Sequence, residues 1–423
     1  MVKSTARGPA RGRVARAAAL FGAALAAAGA AADPAALRVG TSGDYAPFSA
    51  GASAAAAGFD LEIARAFAAD RGQSLEVVRF RWPTLEADLE AGRFDVAMSG
   101  VTVRPERSVA GRFSVAVAEA GAVAIVADSS RHASLDALDD RDVRIGVNAG
   151  GHLERAAHER FPRATLVAIA SNQAVPRALA QGLVDAVVSD DLEAPSWLRE
   201  AEGAEVLGAF TRDRKAYLVR ADGADLAAEL DAWLLAREAD GTLARLRGDA
   251  LGRPGPATAA PLAALAAAID ERLALMPLVA AAKRHAGLPI ESPEREREVL
   301  AQAVAACADA ARAAGRPAPP EPEVRALFAA LVEAAKQVQE AAPARKPGGD
   351  DASDLDGELR PALSRIGERI AFLLVRLPTG ATTGDAFVAL SDGVRTPGVS
   401  EATLHRIAAA IAELAKPPPP AKS

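Results

Sequence analysis

Cysteine is almost missing from this chain. Cys307 is the only one in 423 residues, so no disulfide can close within one molecule. Its alanine-rich surroundings, AVAACADAA, favour a buried, inert thiol over a nucleophile. Aromatic residues make up 4% of the chain and are not interleaved with its 49 Lys and Arg residues, so the usual nucleic-acid groove is excluded. The formal net charge of −6 points the same way. The amino-terminal apolar stretch AAALFGAALAAAGAAA, residues 17–32, is too short and too rich in alanine for a membrane span.

What precedes that stretch explains it. Lys3, Arg7, Arg11, Arg13 and Arg16 come before it without a single acid, the charge pattern of a cleavable export signal. Small residues at Ala30 and Ala32 place the cut before Asp33. The segment has no adjacent arginine pair for folded export and no cysteine at the cut to take a lipid. The mature protein is therefore expected free in the periplasm, with no membrane attachment after cleavage.

Half of the residues are hydrophobic, and the length allows two or three domains with sizeable cores. From Leu37 to Gly252, β-rich runs such as LRVGTS, SLEVVRF and VRIGVN alternate with helical patterns such as GFDLEIARAFAADRG and GGHLERAAHERF. This predicts two α/β lobes with largely parallel strands and a cleft between them. GRPGPATAA, residues 252–260, interrupts both periodicities, and beyond it long alanine-leucine helices replace the strands. The expected divisions are a signal peptide over 1–32, an α/β domain over 33–252, a linker over 253–260, an all-helical domain over 261–416 and a tail over 417–423. PARKPGGDDASD, residues 343–354, reads as a polar connector inside the helical part.

LRVGTSGDYAPFSA, GFDLEIARAFA and GRFDVAMSGVTVRPERSVAGRFS follow one another as in periplasmic solute-binding proteins for polar amino acids. With RWPTL, VNAGG and DAVVSDDLEA added, the stretch from Leu37 to Gly252 resembles the periplasmic cyclohexadienyl dehydratases of that superfamily, which act on prephenate and arogenate. The resemblance implies that Arg107 grips a ligand carboxylate, a task its bidentate fork suits. It implies that Asp44, Tyr45, Trp82, Ser99, Thr102 and Asn148 line the cleft. Gly150 and Gly151 would offer backbone N–H groups at a helix start for a second carboxylate. Two positions depart from the pattern: Ala122 stands where a Gly-Lys pair is expected to bring a cation, and His152 where Thr is more usual.

SDDLEAPSW, residues 189–197, allows two readings. Ser189 can cap a helix whose first turn carries Asp190, Asp191 and Glu193 against the helix dipole. Alternatively Asp190 and Glu193, three apart, share a face of that helix, and Asp191 points elsewhere. The resemblance gives Asp190 the orientation of a ligand amine and makes Glu193 the general acid, a carboxyl that a dry cleft would keep protonated.

In the helical part, Arg272 and Lys283 are eleven apart, close to three whole turns, with Pro277 between them as a kink. Ser292 and Pro293 open the next helix and put Arg295 in its first turn. ERLALMPLVAAAKRHAGLPIESPERERE followed by ALVEAAKQVQEA resembles exported all-helical chorismate mutases. By that resemblance Arg272, Arg295 and Arg360 hold substrate carboxylates, Lys283 and Gln339 contact the ether oxygen, and Glu296 supports the pocket. The mutase product is the dehydratase substrate, so the expected protein is a two-lobed α/β domain of the periplasmic-binding-protein type followed by an all-α chorismate mutase domain. Chorismate, prephenate and arogenate are its expected small-molecule partners, and neither reaction calls for a metal or other cofactor. The alternative is an amino-acid-binding module joined to a chorismate mutase.

Overall fold

The computed structural model describes residues 36–51, 56–127, 131–343 and 354–417. The export signal, most of the connector and nearly all of the tail lie outside them. Among the described residues no helix is long and apolar enough to cross a membrane.

The β-rich runs up to Arg220 form two five-stranded sheets. The first has the order Leu75–Arg79, Leu37–Thr41, Val96–Ala97, Leu218–Arg220, Gly111–Phe113. The second runs Thr165–Ile169, Arg144–Asn148, Ala186–Asp190, Ala122–Val126, Glu205–Leu207. Each sheet is mixed, a correction to the largely parallel sheets expected from sequence. Three strands of each are parallel because helices connect them, but Leu218–Arg220 and Ala122–Val126 enter their sheets directly from a crossing between the lobes and run the other way. Both faces of the second sheet are covered. Along Ala122–Val126, residues 122, 124 and 126 join one apolar cluster, and 123 and 125 join another.

The chain passes between the lobes at Ala118–Ala120 and returns at Asp213–Lys215, two short strands paired antiparallel. They form the hinge.

After Leu251 the helices are Pro261–Ala274, Met276–His285, Pro293–Ala313, Glu321–Ala341, Arg360–Leu374, Thr383–Gly393 and Glu401–Leu414, with a π-helical turn at Leu355–Leu359. The expected kink at Pro277 is a full break at Leu275, since proline has no amide to donate to the Leu273 carbonyl. Ser292 does stand at the N-cap with Pro293 first in the helix, although its side chain makes no capping bond. Cys307 is 1% exposed, and burial pushes its thiol up to about 11.

One apolar cluster runs without interruption from Leu37 in the first lobe to Ile411 in the last helix. Polar contacts reinforce the join. Arg365 donates to the carbonyls of Ser108 (3.2 Å) and Val109 (2.6 Å), and Arg369 to that of Phe113 (2.5 Å). The Ser108 hydroxyl donates to Glu271 (2.8 Å), itself paired with Arg369. The helical domain also holds both hinge strands. Arg214 pairs with Asp270 (2.6 Å) and donates to the Gly393 carbonyl, and Arg395 pairs with Glu119 and donates to the Arg212 carbonyl (3.0 Å).

Candidate active sites

The cleft between the lobes is nearly shut. The space inside is about 30 Å³, lined by Tyr45, Trp82, Gly100, Thr102, Arg107, Asn148, Gly151, His152, Leu153, Asn172 and Lys215. That volume holds about one water molecule, so a substrate enters only when the lobes part at the hinge.

Arg107 sits on the short helix Pro105–Ala110 and is fully buried. Its Nε donates to Glu86 (3.0 Å), its Nη1 donates to the Thr102 carbonyl (3.2 Å), and its guanidinium lies over the Trp82 ring. Burial brings its pKa down to about 10 against the opposing pull of Glu86. The remaining Nη2 is buried without a partner among the described residues, leaving a charged donor for a carboxylate.

The SDDLEA segment differs from both helical readings. Ser189 and Asp190 end the buried strand Ala186–Asp190, residues 191–193 turn, and the helix begins at Ala194 with Glu193 at its N-cap. No side chain caps this helix; Asp190 instead closes the turn before it, its Oδ1 accepting from the amides of Leu192 (3.0 Å) and Glu193 (2.9 Å). The two carboxyls are therefore neighbours through a turn and do not share a helix face. Asp191 caps nothing. It accepts from the Gly121 amide (3.0 Å) and pairs with Arg253 of the linker (2.7 Å).

Glu193 is 2% exposed. Burial, and then the charge of Asp190, push its carboxyl well above the usual carboxylate range, although Ser189 (2.9 Å) and Asn172 (2.6 Å) hydrogen-bond to it. Asn172 lines the cleft and also donates to the Asp44 carbonyl (3.0 Å), so Glu193 lies one side chain behind the wall. Asp190 is likewise set back. Its Oδ2 accepts from the Tyr45 hydroxyl and lies 3.5 Å from Lys215 Nζ.

Tyr45, Trp82, Thr102, Arg107, Asn148 and Gly151 meet at the cleft as expected. The Ser99 hydroxyl does not. It is buried among Ser42 and Ser49 inside the first lobe (2.9 and 2.8 Å), because Gly100 turns the chain at that point. Asp44 is half-buried beside Asn172, with one carboxylate oxygen unpartnered among the described residues. The Gly150 amide is not free for a ligand either, since it donates to Glu154 (2.6 Å). What Gly150 supplies is closeness. At φ +73° it lies so near Pro83 that an added Cβ would come within 2.6 Å of that ring.

A cavity of about 770 Å³ opens in the helical domain, with part of its wall supplied by Gly111–Phe113 and by Ala224–Asp231 of the preceding domain. Arg272, Lys283, Arg295, Glu296, Gln339 and Arg360, drawn from five helices, all line it. Arg272 donates to the Leu363 carbonyl (3.0 Å), and burial together with Arg295 brings its pKa down to about 10. No carboxylate pairs with it among the described residues. Lys283 Nζ donates to the Ile290 carbonyl (2.7 Å), leaving two protons for a ligand. Burial and then Arg360 lower its pKa, partly offset by Glu296. The Gln339 amide donates to the Ala335 carbonyl (3.1 Å), with its oxygen buried and unpartnered among the described residues. Arg295 pairs with Glu298 (2.7 Å) and Arg360 with Asp356, so each exchanges a partner on binding a substrate carboxylate. Glu296 lies 3.6 Å from Lys336, a further cation on the wall.

The sequence profile of the bacterial extracellular solute-binding proteins, family 3, matches residues 37–252, and that of chorismate mutase type II matches residues 263–340. A cyclohexadienyl dehydratase of Pseudomonas aeruginosa is 32% identical over 213 residues, 49% of this chain and 79% of that protein. The chain belongs to the family 3 solute-binding proteins. An L-cystine-binding protein of Escherichia coli is 26% identical over 213 residues, 50% of this chain and 80% of that protein. Among solved structures, an ancestral amino acid-binding protein titled a precursor of cyclohexadienyl dehydratase is 30% identical, with a TM-score of 0.48, covering 51% of this chain and 95% of that one. The family assignment bears out the fusion read from sequence, a dehydratase-like solute-binding domain followed by a chorismate mutase domain.

Within this family 3 domain, sequence pattern alone gives no role to three polar groups. Lys215, on the returning hinge strand, is 2% exposed and supplies the cation that Ala122 does not. Its signal in DRKAYLV was a lysine immediately before an apolar run. His152 lines the cleft with Nε2 at 3.0 Å from Asp213. Burial would raise Asp213, but His152 and then Lys215 hold its carboxyl below the usual range. Asn172 shows no local signal at all, because it meets Glu193 only through the tertiary fold.

Proposed function

We propose that the chain is an exported bifunctional enzyme that rearranges chorismate to prephenate in the helical cavity and converts prephenate to phenylpyruvate, or arogenate to phenylalanine, in the cleft. The reading rests above all on Glu193, a carboxyl buried and kept protonated beside the cleft. Export is supported by the cationic and apolar amino-terminal run and by the extracellular family to which the chain belongs.

The mutase step is an intramolecular rearrangement and needs no proton transfer. Arg272, Arg295 and Arg360 hold the two carboxylates of chorismate in the reactive conformer, and Lys283 places a donor where negative charge grows on the ether oxygen; Gln339 joins it when its amide leaves the Ala335 carbonyl and Met276 and turns its N–H group inward.

In the dehydratase step Arg107 holds the side-chain carboxylate. The ring carboxylate leaves as CO₂ and its electron pair enters the ring, while the hydroxyl on the opposite ring carbon departs as water with the Glu193 proton, a transfer that requires Asn172 to move aside from Glu193 when substrate occupies the cleft. One proton is consumed per turnover, and Glu193 regains it from solvent when the lobes part. Aromatisation drives the step, so the acid supplies what the substrate lacks, a better leaving group.

The binding-module alternative asks for an aspartate free to take a ligand ammonium, and both oxygens of Asp190 are already engaged. Purified full-length protein given chorismate, with products separated by chromatography, should accumulate phenylpyruvate. Prephenate accumulating unchanged would remove the dehydratase half, and unreacted chorismate the mutase half.

A further inference from the structure

We propose that Lys215 makes the cleft select a 2-oxo acid over the 2-amino acid of the same carbon skeleton. The inference rests on the ligand placement given above, with a carboxylate on Arg107.

Lys215 Nζ lies 3.0 Å from both the Tyr45 hydroxyl and the Thr102 hydroxyl and 3.5 Å from Asp190 Oδ2. The rings of Tyr45 and Phe48 pack against it at 5.3 and 5.9 Å. Thr102 connects this group to the carboxylate site, because its carbonyl accepts from Arg107. A ligand whose carboxylate meets Arg107 Nη2 therefore carries its second carbon toward Lys215.

An amino acid needs acceptors there for its ammonium. The candidates beside Lys215 are Asp190, Tyr45 and Thr102, and the chain's own cation already faces all three; the free carboxylate oxygen of Asp44 lies by Asn172, and no contact among the described residues joins it to Lys215. Asp190 also takes the Tyr45 proton and two backbone amides. Asp213, the other carboxylate near Lys215, is held by His152 and by Thr211 (2.8 Å). Asp60, buried behind Gly100, accepts from the Gly100 amide and from Tyr217 (2.9 Å). A ligand ammonium would thus meet Lys215 as a like charge where little water can screen it. A 2-oxo group is only an acceptor and takes a hydrogen bond from the third Lys215 N–H, which otherwise faces Asp190 at 3.5 Å. For the dehydratase reading this means prephenate rather than arogenate.

The test is calorimetric titration of the full chain with phenylpyruvate and with L-phenylalanine, with Arg107→Ala as the control that assigns binding to the cleft, beside kcat/KM for prephenate and arogenate. Phenylpyruvate should bind at least about tenfold more tightly, a difference like-charge contact readily supplies. In Lys215→Met, a close match in length and volume, that ratio should collapse, with phenylalanine gaining affinity as Asp190 is released. Lys215→Gln keeps a donor without the charge and should lie between the two, and it serves if the methionine variant does not fold. Equal binding of the two ligands, no cleft binding by either, or an equal loss of both in the variants would overturn the proposal. Absent prephenate turnover with the 2-oxo preference intact would remove the dehydratase reading and leave this one standing.

Discussion

At the scale of single residues, Glu193 differs from an ordinary acidic side chain because its charge has nowhere to go. With its pKa raised by burial and by Asp190, it is protonated over the range where exposed glutamates are not. Glu193→Gln should lower prephenate turnover by about 10²–10⁴, the usual worth of a general acid, and leave ligand affinity nearly unchanged. In the wild type, dehydratase kcat should fall as pH rises through that raised pKa. The folded state binds a proton that the unfolded chain releases near its ordinary pKa, so stability is lost over the same rise in pH. The Gln variant should therefore melt above the wild type at neutral pH, with the gap closing near pH 4. In the other site, Lys283→Met should cost the mutase about 10²–10³ in kcat, as removal of one charge-stabilising donor does, and Arg284→Ala little. Among the described residues Arg284 donates only to the Pro343 carbonyl, outside the cavity wall, so equal losses would argue against this pocket.

Elements place these side chains through a few breaks in regularity. The strand ending at Asp190 turns sharply, so that one carboxylate caps the turn while the carboxyl three residues later faces Ser189 and Asn172. Leu275 divides the helices that bear Arg272 and Lys283, yet both reach the same cavity. The turn before the helix His152–Arg160 matters for closure, because Gly150 there lies against Pro83 of the opposite lobe. Gly150→Ala brings a methyl into that ring and also strains a positive φ, so it should hold the lobes apart. Dehydratase activity should drop in this variant with mutase activity intact, and solution scattering should report a more open particle.

At the scale of the whole molecule, the helical domain is fastened to the first lobe and to both hinge strands. Ser108, next to Arg107, bonds to Glu271, next to Arg272, so one contact joins the helices that serve the two sites. A shared apolar core and buried ion pairs make a single cooperative transition the expected calorimetric behaviour of the chain. Asp270→Ala leaves the Arg214 guanidinium unpaired at the interface and removes the acceptor for the amides of Arg395 and Thr396 (2.8 Å each). Breaking such a pair costs about 3 kcal/mol, enough to split the transition into two. One unshifted peak in that variant would show that these contacts do not hold the domains together.

Alternation and composition by themselves determined the two lobes and the change to helices after Gly252, because periodicity is a local property; helix spacing brought Arg272, Lys283 and Arg295 to one region, and the resemblance to chorismate mutases added Glu296, Gln339 and Arg360. Arg107 and Glu193 were also legible, through the resemblance that their stretches bear to the cyclohexadienyl dehydratases. Only the tertiary structure decided the rest. Ser99 is turned inward, Gly150 serves close approach and not an open amide, and Asp190 is already satisfied. The cation missing at Ala122 arrives as Lys215 from a strand more than ninety residues later, which pairs across the hinge with the strand just before Ala122. Which distant groups meet in a buried, water-poor space is set by packing, and there their mutual charges decide what the cleft can hold.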